Sequence, residues 1–442
     1  MRETREKVEV GEMKRESLAA VHTHTHTHTS SFNEQIKSEK AITLVALIVT
    51  IIVLIILAGV SISLVIGNNG IMQKAVKGRT DYAGAAINEQ LDLNKIEDYI
   101  EDNTSNAVKI ERVKGGSYFG EPTTVKDTNG NLIKVPKGFK IAADSGLNVT
   151  EGIVIEDNDI IEGIGNNRGN QYVWVPVGNG IKKSDGTTVD ITLGRYTFAN
   201  GTSDKDTNGN VLAEGTPTLK QDAANYTQEV VINSYYKELA TSRTGVASSG
   251  ADGLNTTALN LEGFVDSVKA NGGYYIARYE ASYGTDGKAN SKVSNTYETS
   301  APNKEGQLWN NITQINAATA SRNLYTGVNS DLINSYAWDT AIVYIQNFSG
   351  DTDYSKQDGN SINSSLTNTG VNGDEKCKIN DMASNTREWT TEYCTNTGSR
   401  YAIPCTYRGG ICSLSSYYTA SRDSNYATIS FSHVSFRCAL YM

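Results

Sequence analysis

A chain of 442 residues has room for two or three domains, which excludes a small scaffold held together by disulfides. With 40 Lys and Arg against 49 Asp and Glu, its net charge of -9 offers no general field for a phosphate backbone, so nucleic acid is not an expected partner. Forty Gly, 24 Tyr and only 6 Pro favour a turn-rich body of short strands over a helical bundle.

Residues 1–40 carry seven basic and seven acidic side chains and the tract His22-Thr-His-Thr-His-Thr-His-Thr29. They read as a disordered cytoplasmic leader with a simple repeat. Alternating imidazoles that trap a divalent metal are the second reading of the tract. From Ala41 to Ile66 there is no charged residue. At ~1.5 Å per helical residue, such a run crosses the ~30 Å hydrocarbon layer. Residues 41–66 are therefore expected to form a transmembrane helix and to make the lipid bilayer a partner. Lys37 and Lys40 at its start place the N-terminus in the cytoplasm and the C-terminal body outside.

This span, with its charged leader and the opening Ile42-Thr43-Leu44, resembles the N-terminal segment of type IV prepilins and pseudopilins. The resemblance implies a bacterial cell-membrane protein with a single pass. Ala41 stands where that family's leader ends in Gly, and Ala46 where its mature helix carries Glu. Within residues 67–107, Leu91, Leu93, Ile96 and Ile100 lie among polar residues as on an amphipathic stalk helix, and residues 101–106 read as a linker.

From residue 108 onward, short apolar runs alternate with turn clusters, as in a strand-rich body with a few helices. The runs are Ile153-Val-Ile155, Tyr172-Val-Trp-Val-Pro-Val177, Tyr274-Tyr-Ile-Ala-Arg-Tyr279 and Ala341-Ile-Val-Tyr-Ile345. The hexapeptide Lys-Asp-Thr-Asn-Gly-Asn occurs at 126–131 and again at 205–210. Its second copy begins like a calcium loop, but Gly215 holds the twelfth position, where a bidentate Glu is required. Asn-Gly is a strong turn signal, so two surface turns are expected.

Near the C-terminus come Ile379-Asn-Asp-Met-Ala-Ser-Asn-Thr-Arg-Glu-Trp389, then Tyr407-Arg-Gly-Gly410, then the closing Ser435-Phe-Arg-Cys-Ala-Leu-Tyr441. Together with the Tyr172 and Tyr274 runs, in this order, they resemble the formylglycine-generating (sulfatase-modifying) family across 108–442. The resemblance implies an α+β, C-type-lectin-like domain with small irregular sheets and few helices. It also implies a calcium site in which Asn385 and Glu388 are candidate ligands. The alternative is that Asn385 caps a turn and Glu388 pairs with an arginine such as Arg408 or Arg437. Catalysis in that family uses a cysteine pair on copper just after Arg-Gly-Gly. Here Cys412 stands alone until Cys438, so no catalytic residue, no copper and no enzymatic activity are expected.

All five cysteines fall between Cys377 and Cys438, on the expected extracellular side, where disulfides are permitted. Cys394 and Cys405 flank a turn segment and are the expected bridge, with reduced buried thiols as the alternative. Between Gly410 and Phe436 the chain is rich in Ser and Tyr, the composition of antibody paratopes. The segment also resembles the variable region of lectin-fold proteins served by diversity-generating retroelements. Its candidate ligand-binding residues are Tyr417, Tyr418, Arg422, Asp423, Asn425, Tyr426 and His433. The expectation is a membrane-anchored surface protein displaying a non-catalytic lectin-fold domain for a carbohydrate or a cell-surface protein. The alternatives are a formylglycine-generating-type oxidoreductase and a minor pilin or pseudopilin subunit.

Overall fold

The computed structural model describes residues 46–58, 74–75, 77–79, 82, 85, 107–158, 169–201, 204–240, 258–294, 297, 304–371, 373–396 and 403–442. The leader, its His-Thr tract, the ends of the 41–66 span, Leu91 to Ile100 and the 101–106 linker lie outside them. The chain divides into two units, 1–96 and 97–442. In the first, residues 46–58 are helical, with Leu54 and Ile55 about two-thirds exposed at 64% and 65%. Among the described residues, no helix is long and apolar enough to cross a membrane.

The second unit is mixed α and β, with small sheets and few helices. Its principal elements, in chain order, begin with β1 (Phe139–Ile141), β2 (Val154–Asp157), β3 (Gln171–Pro176), β4 (Gly194–Phe198), β5 (Pro217–Asp222) and β6 (Tyr236–Lys237). Then follow α1 (Leu261–Asn271), β7 (Gly273–Ala277), α2 (Gln314–Ser321), β8 (Asn329–Leu332) and α3 (Ser335–Phe348). The chain closes through β9 (Arg387–Cys394), β10 (Cys405–Arg408), β11 (Arg422–Asn425), β12 (Val434–Phe436) and β13 (Cys438–Tyr441).

One antiparallel sheet runs β8-β13-β7-β3-β2-β1. The Tyr172 and Tyr274 runs are therefore neighbours, with Tyr275 opposite Trp174, and the closing Cys-Ala-Leu-Tyr strand lies on the other side of β7. Both central strands are buried along nearly their whole length, which is why they read as continuous apolar runs. A second sheet runs β6-β9-β10-β11, with β12 parallel to β9. α1 starts on an Asn260 cap, stops at Gly272 in the left-handed region and lays Phe264 against the rings of Tyr274 and Tyr441.

The run Ala341 to Ile345 belongs to one of the few helices: it lies inside α3. That helix is capped by the Asn334 side chain, which accepts from the Ala337 amide at 2.9 Å. All its residues but Asn347 are buried, its polar ones included, with Asp339 turned onto arginines of the second sheet. The two hexapeptides fold alike. Asp127 Oδ1 accepts from the amides of Asn129 and Asn131, and Asp206 Oδ1 from those of Asn208 and Asn210. Asp206 turns its carboxylate onto its own loop, as a surface turn requires, whereas the buried Asp127 also accepts the Val149 amide on Oδ2 at 3.0 Å.

The expected Cys394–Cys405 bridge is also corrected, since all five cysteines are free and buried. Cys405 pairs across the strands with Tyr393, so the side chain of Cys394, one residue on, points to the opposite face of the sheet. The register therefore separates the two sulfurs that sequence proximity brings close.

Candidate functional site

Strand alternation in the second sheet sorts its side chains into two sets. Glu388, Arg408 and Arg422 stand in one cross-strand row, and Trp389, Tyr407 and Asp423 in the next. Arg408 and Arg422 thus face each other directly, a repulsive arrangement unless carboxylates intervene. Asp339 from α3 accepts from Arg408 Nη2 at 2.6 Å on one oxygen and from Arg422 on the other. Glu392 accepts from Arg195 Nη2 at 2.6 Å and from Arg422 Nε at 3.1 Å. The five side chains of this cluster are at most 1% exposed. Burial alone would raise the Glu392 carboxyl, but Arg422, Arg195 and Arg408 outweigh it and hold the group at about 2.

In the other set Trp389 is buried in the core, while Tyr407 and the more exposed Asp423 gather around Arg387, at the start of β9. Its guanidinium lies 3.8 Å from the centre of the Tyr417 ring, 4.9 Å from that of Tyr407, and 3.2 Å from Asp423 Oδ2. Tyr407 donates its hydroxyl to the same Asp423 oxygen at 3.1 Å. The backbone amide of Arg387 donates to the His433 carbonyl. Burial, and then the Arg387 charge, hold the His433 imidazole below its ordinary value of 6.5, so it is neutral at pH 7. Asn425 lies in register beyond Tyr407, opposite Cys405, and accepts the Tyr426 amide on its own side chain.

Tyr418 points elsewhere. With Arg422 it lines a cleft of about 650 Å³, within the range of small-ligand sites. The other walls are Thr197 and Phe198 of β4, Lys220 of β5, Asn200 and Asp204 of their connection, the 231–233 segment, and Ser355 with Lys356. Lys356 Nζ stands 4.8 Å from the centre of the Tyr418 ring.

The structure therefore divides the seven sequence-predicted residues. Tyr417, Asp423 and His433 gather about Arg387, with Asn425 alongside. Tyr418 and Arg422 belong to the cleft, although the Arg422 side chain is only 1% exposed and is committed to the buried cluster. Tyr426 is half-buried in the turn after β11. Sequence reasoning passed over Arg387, Lys356, Lys220 and Asp339. Arg387 had a signal in the Thr-Arg-Glu-Trp string, whereas the other three come from distant segments that only the fold assembles.

Asn385 and Glu388 are both fully buried. Glu388 accepts from Arg437 Nε at 2.6 Å on one oxygen and from Arg437 Nη2 on the other. Asn385, at φ 61, accepts the Thr367 amide on Oδ1 and donates Nδ2 to Glu280. A calcium ion held there would compete with these bonds. Among the described residues, no group of three or more His, Cys, Asp or Glu side chains is placed to hold a metal. Burial, and then the Glu280 charge, push the Cys412 thiol up to about 11, so at neutral pH it is not the thiolate that sulfur chemistry needs.

No protein-family model matches the chain, and no curated protein matches it. Among solved structures, the crystal structure of CarF is similar over 38% of this chain and 87% of that one, at 15% identity and a TM-score of 0.29. That likeness carries no argument about fold or activity.

Proposed function

We propose that this chain is a membrane-anchored bacterial surface protein whose 108–442 body is a non-catalytic, lectin-like recognition domain. The observation that carries the reading is the seating of the Tyr/Ser-rich segment. Tyr417 and Asp423 are fixed outward on Arg387, while Tyr418 forms a wall of the cleft, so one segment, the connection into β11 and β11 itself, supplies two adjoining contact surfaces braced by the strand residue Arg387. Aromatic side chains held in one orientation lose little entropy on binding, the property that paratopes exploit. The lectin-like reading rests on the order of the Tyr172, Asn385-Thr-Arg-Glu-Trp389, Arg-Gly-Gly and Phe-Arg-Cys-Ala motifs and on the small-sheet architecture. The anchor reading rests on the uncharged 41–66 span and on the exposed apolar side chains of its helical part.

The test is binding of the full-length protein, kept in detergent, to arrays of glycans and surface proteins, beside its Y417A/Y418A double variant. Specific binding by the parent and its loss in the variant is the expected result. A blank array for both proteins, with the chain found in an assembled filament, would replace recognition with the pilin-like reading. Extraction of membranes with alkaline carbonate tests the anchor, which predicts that the chain stays in the pellet.

A further inference from the structure

The cleft beside Tyr418 differs in charge from the rest of this acidic chain. Lys220, Lys356 and Arg422 line it against a single carboxylate, Asp204. Lys220 is exposed on β5 and has no ion-pair partner among the described residues. Lys356 reaches Glu214 at 3.3 Å, but Glu214 is 58% exposed, and a surface pair of this kind binds its lysine weakly.

The buried cluster that Arg422 joins adds to the excess. Arg195, Arg408 and Arg422 meet only Asp339 and Glu392, which leaves one positive charge in a water-poor setting, where it is felt more strongly than at the surface. Arg195 Nε and Arg408 Nη1 have no hydrogen-bond acceptor. Glu238, which also feels Arg195, is pushed up to about 7 by its burial and so does not cancel this charge below neutrality.

The walls say what kind of anion fits. Tyr418 and Phe198 offer flat apolar faces, and Asn200, Asn233 and Asp204 bring amide and carboxylate groups of the type that pair with hydroxyls. We propose that this cleft takes an acidic saccharide, one sugar ring lying against Tyr418 and its carboxylate or sulfate turned toward Lys220 and Lys356. The inference rests on the recognition reading and narrows it to a ligand class. The two lysines supply steering and discrimination, and the buried arginines supply a fixed background field.

The experiment measures affinity of the full-length protein in detergent for four probes: an oligogalacturonate, its methyl ester, a sulfated galacto-oligosaccharide and an oligoglutamate peptide. The acid or the sulfated sugar should bind at least roughly tenfold more tightly than the ester, with affinity falling as salt rises. K220Q/K356Q should remove that preference, and Y418A should weaken both sugars, while Y417A leaves the preference in place. Preference for the acid over the sulfated sugar, or the reverse, identifies the anion. Equal binding of acid and ester overturns the inference and leaves recognition standing. Preference for oligoglutamate over every sugar overturns the saccharide class. If none of the four probes binds while array capture persists, the inference fails alone, whereas a blank array removes the recognition reading with it.

Discussion

Arg387 holds Tyr417: the guanidinium sits 3.8 Å from the ring centre while its far side is paired with Asp423. The stack fixes the orientation of a half-exposed aromatic that would otherwise sample several rotamers. A contact of this kind contributes on the order of 1 kcal/mol at a partly exposed site. Its larger consequence is preorganisation, because a tyrosine already held in place has less freedom to lose on binding.

The two tyrosines are expected to behave independently of each other, and Arg387 and Tyr417 as a unit. R387A and Y417A should each weaken ligand capture, with the double variant little worse than either single one. Y418A, on the cleft, should add its full effect to Y417A even though the residues are adjacent, because they share no partner: Tyr417 lies against Arg387 and Tyr418 against Lys356. A double-mutant cycle on captured array ligand reads both relations. Strong coupling of Y417A with Y418A would mean that the two residues serve one site rather than two adjoining surfaces.

Glu388 and Arg437 form a fully buried pair in which both carboxylate oxygens are engaged. Removing one partner strands the other charge, so E388A should cost about 3–5 kcal/mol by urea unfolding. EDTA should leave the melting temperature of the parent unchanged, because the pair already satisfies the carboxylate. A rise in melting temperature with added calcium, lost in E388Q, would instead place a calcium ion at Glu388 and Asn385.

Much of the framework was legible because it is local. The Tyr172 and Tyr274 runs are strands buried on both faces, the Asn-Gly hexapeptides are turns closed by their own aspartates, and Arg437 was one of two partners named for Glu388. What failed depends on pairing across the chain. Arg422 sits among Ser and Tyr like a surface residue, yet the β10–β11 register turns it inward beside Arg408. Cys394 and Cys405 are near each other but on opposite sheet faces. No local signal ties Lys220 and Lys356 to Tyr418, since three segments far apart in the chain bring them together.

Gly409 and Gly410 meet different demands. Gly409 has φ +90, the left-handed region, whereas a Cβ on Gly410 would collide with the Ala383 carbonyl. Because that obstacle is backbone in the loop bearing Asn385, it cannot yield by a rotamer change. G410A should therefore destabilise the domain by several kcal/mol, roughly 3 or more, as overpacking against fixed neighbours does. Urea unfolding of G410A beside a control at Gly138, where an added Cβ would meet nothing within 4 Å, isolates the collision from general loss of glycine. Gly138 has φ +83, so G138A carries backbone strain but no clash, and equal losses in the two variants would show that the contact with Ala383 is unimportant.

Glu238 sets a pH dependence opposite in sign to that of Glu392. It is fully buried, accepts from the Ser335 amide and hydroxyl at 2.8 Å and from the Thr391 hydroxyl at 2.7 Å, and its carboxyl is pushed from 4.5 to about 7, chiefly by burial. In the window between those two values the folded chain holds a proton that the unfolded chain releases. Its contribution is therefore complete below about pH 4.5 and is lost as pH rises through 7, by about 3 kcal/mol in all. Glu392, held at about 2, contributes stability above 4.5 that disappears as the solution is acidified toward 2. E238Q keeps a side chain of the same shape, with an oxygen for Ser335 and an amide that can donate to Thr391. It should flatten the fall in stability between about pH 5 and pH 8 while leaving the acid limb intact, read as urea midpoints across the range. A variant whose midpoints fall as steeply as those of the parent would assign the neutral limb elsewhere, with Asp381, also pushed up to about 7 by burial, the next group to replace.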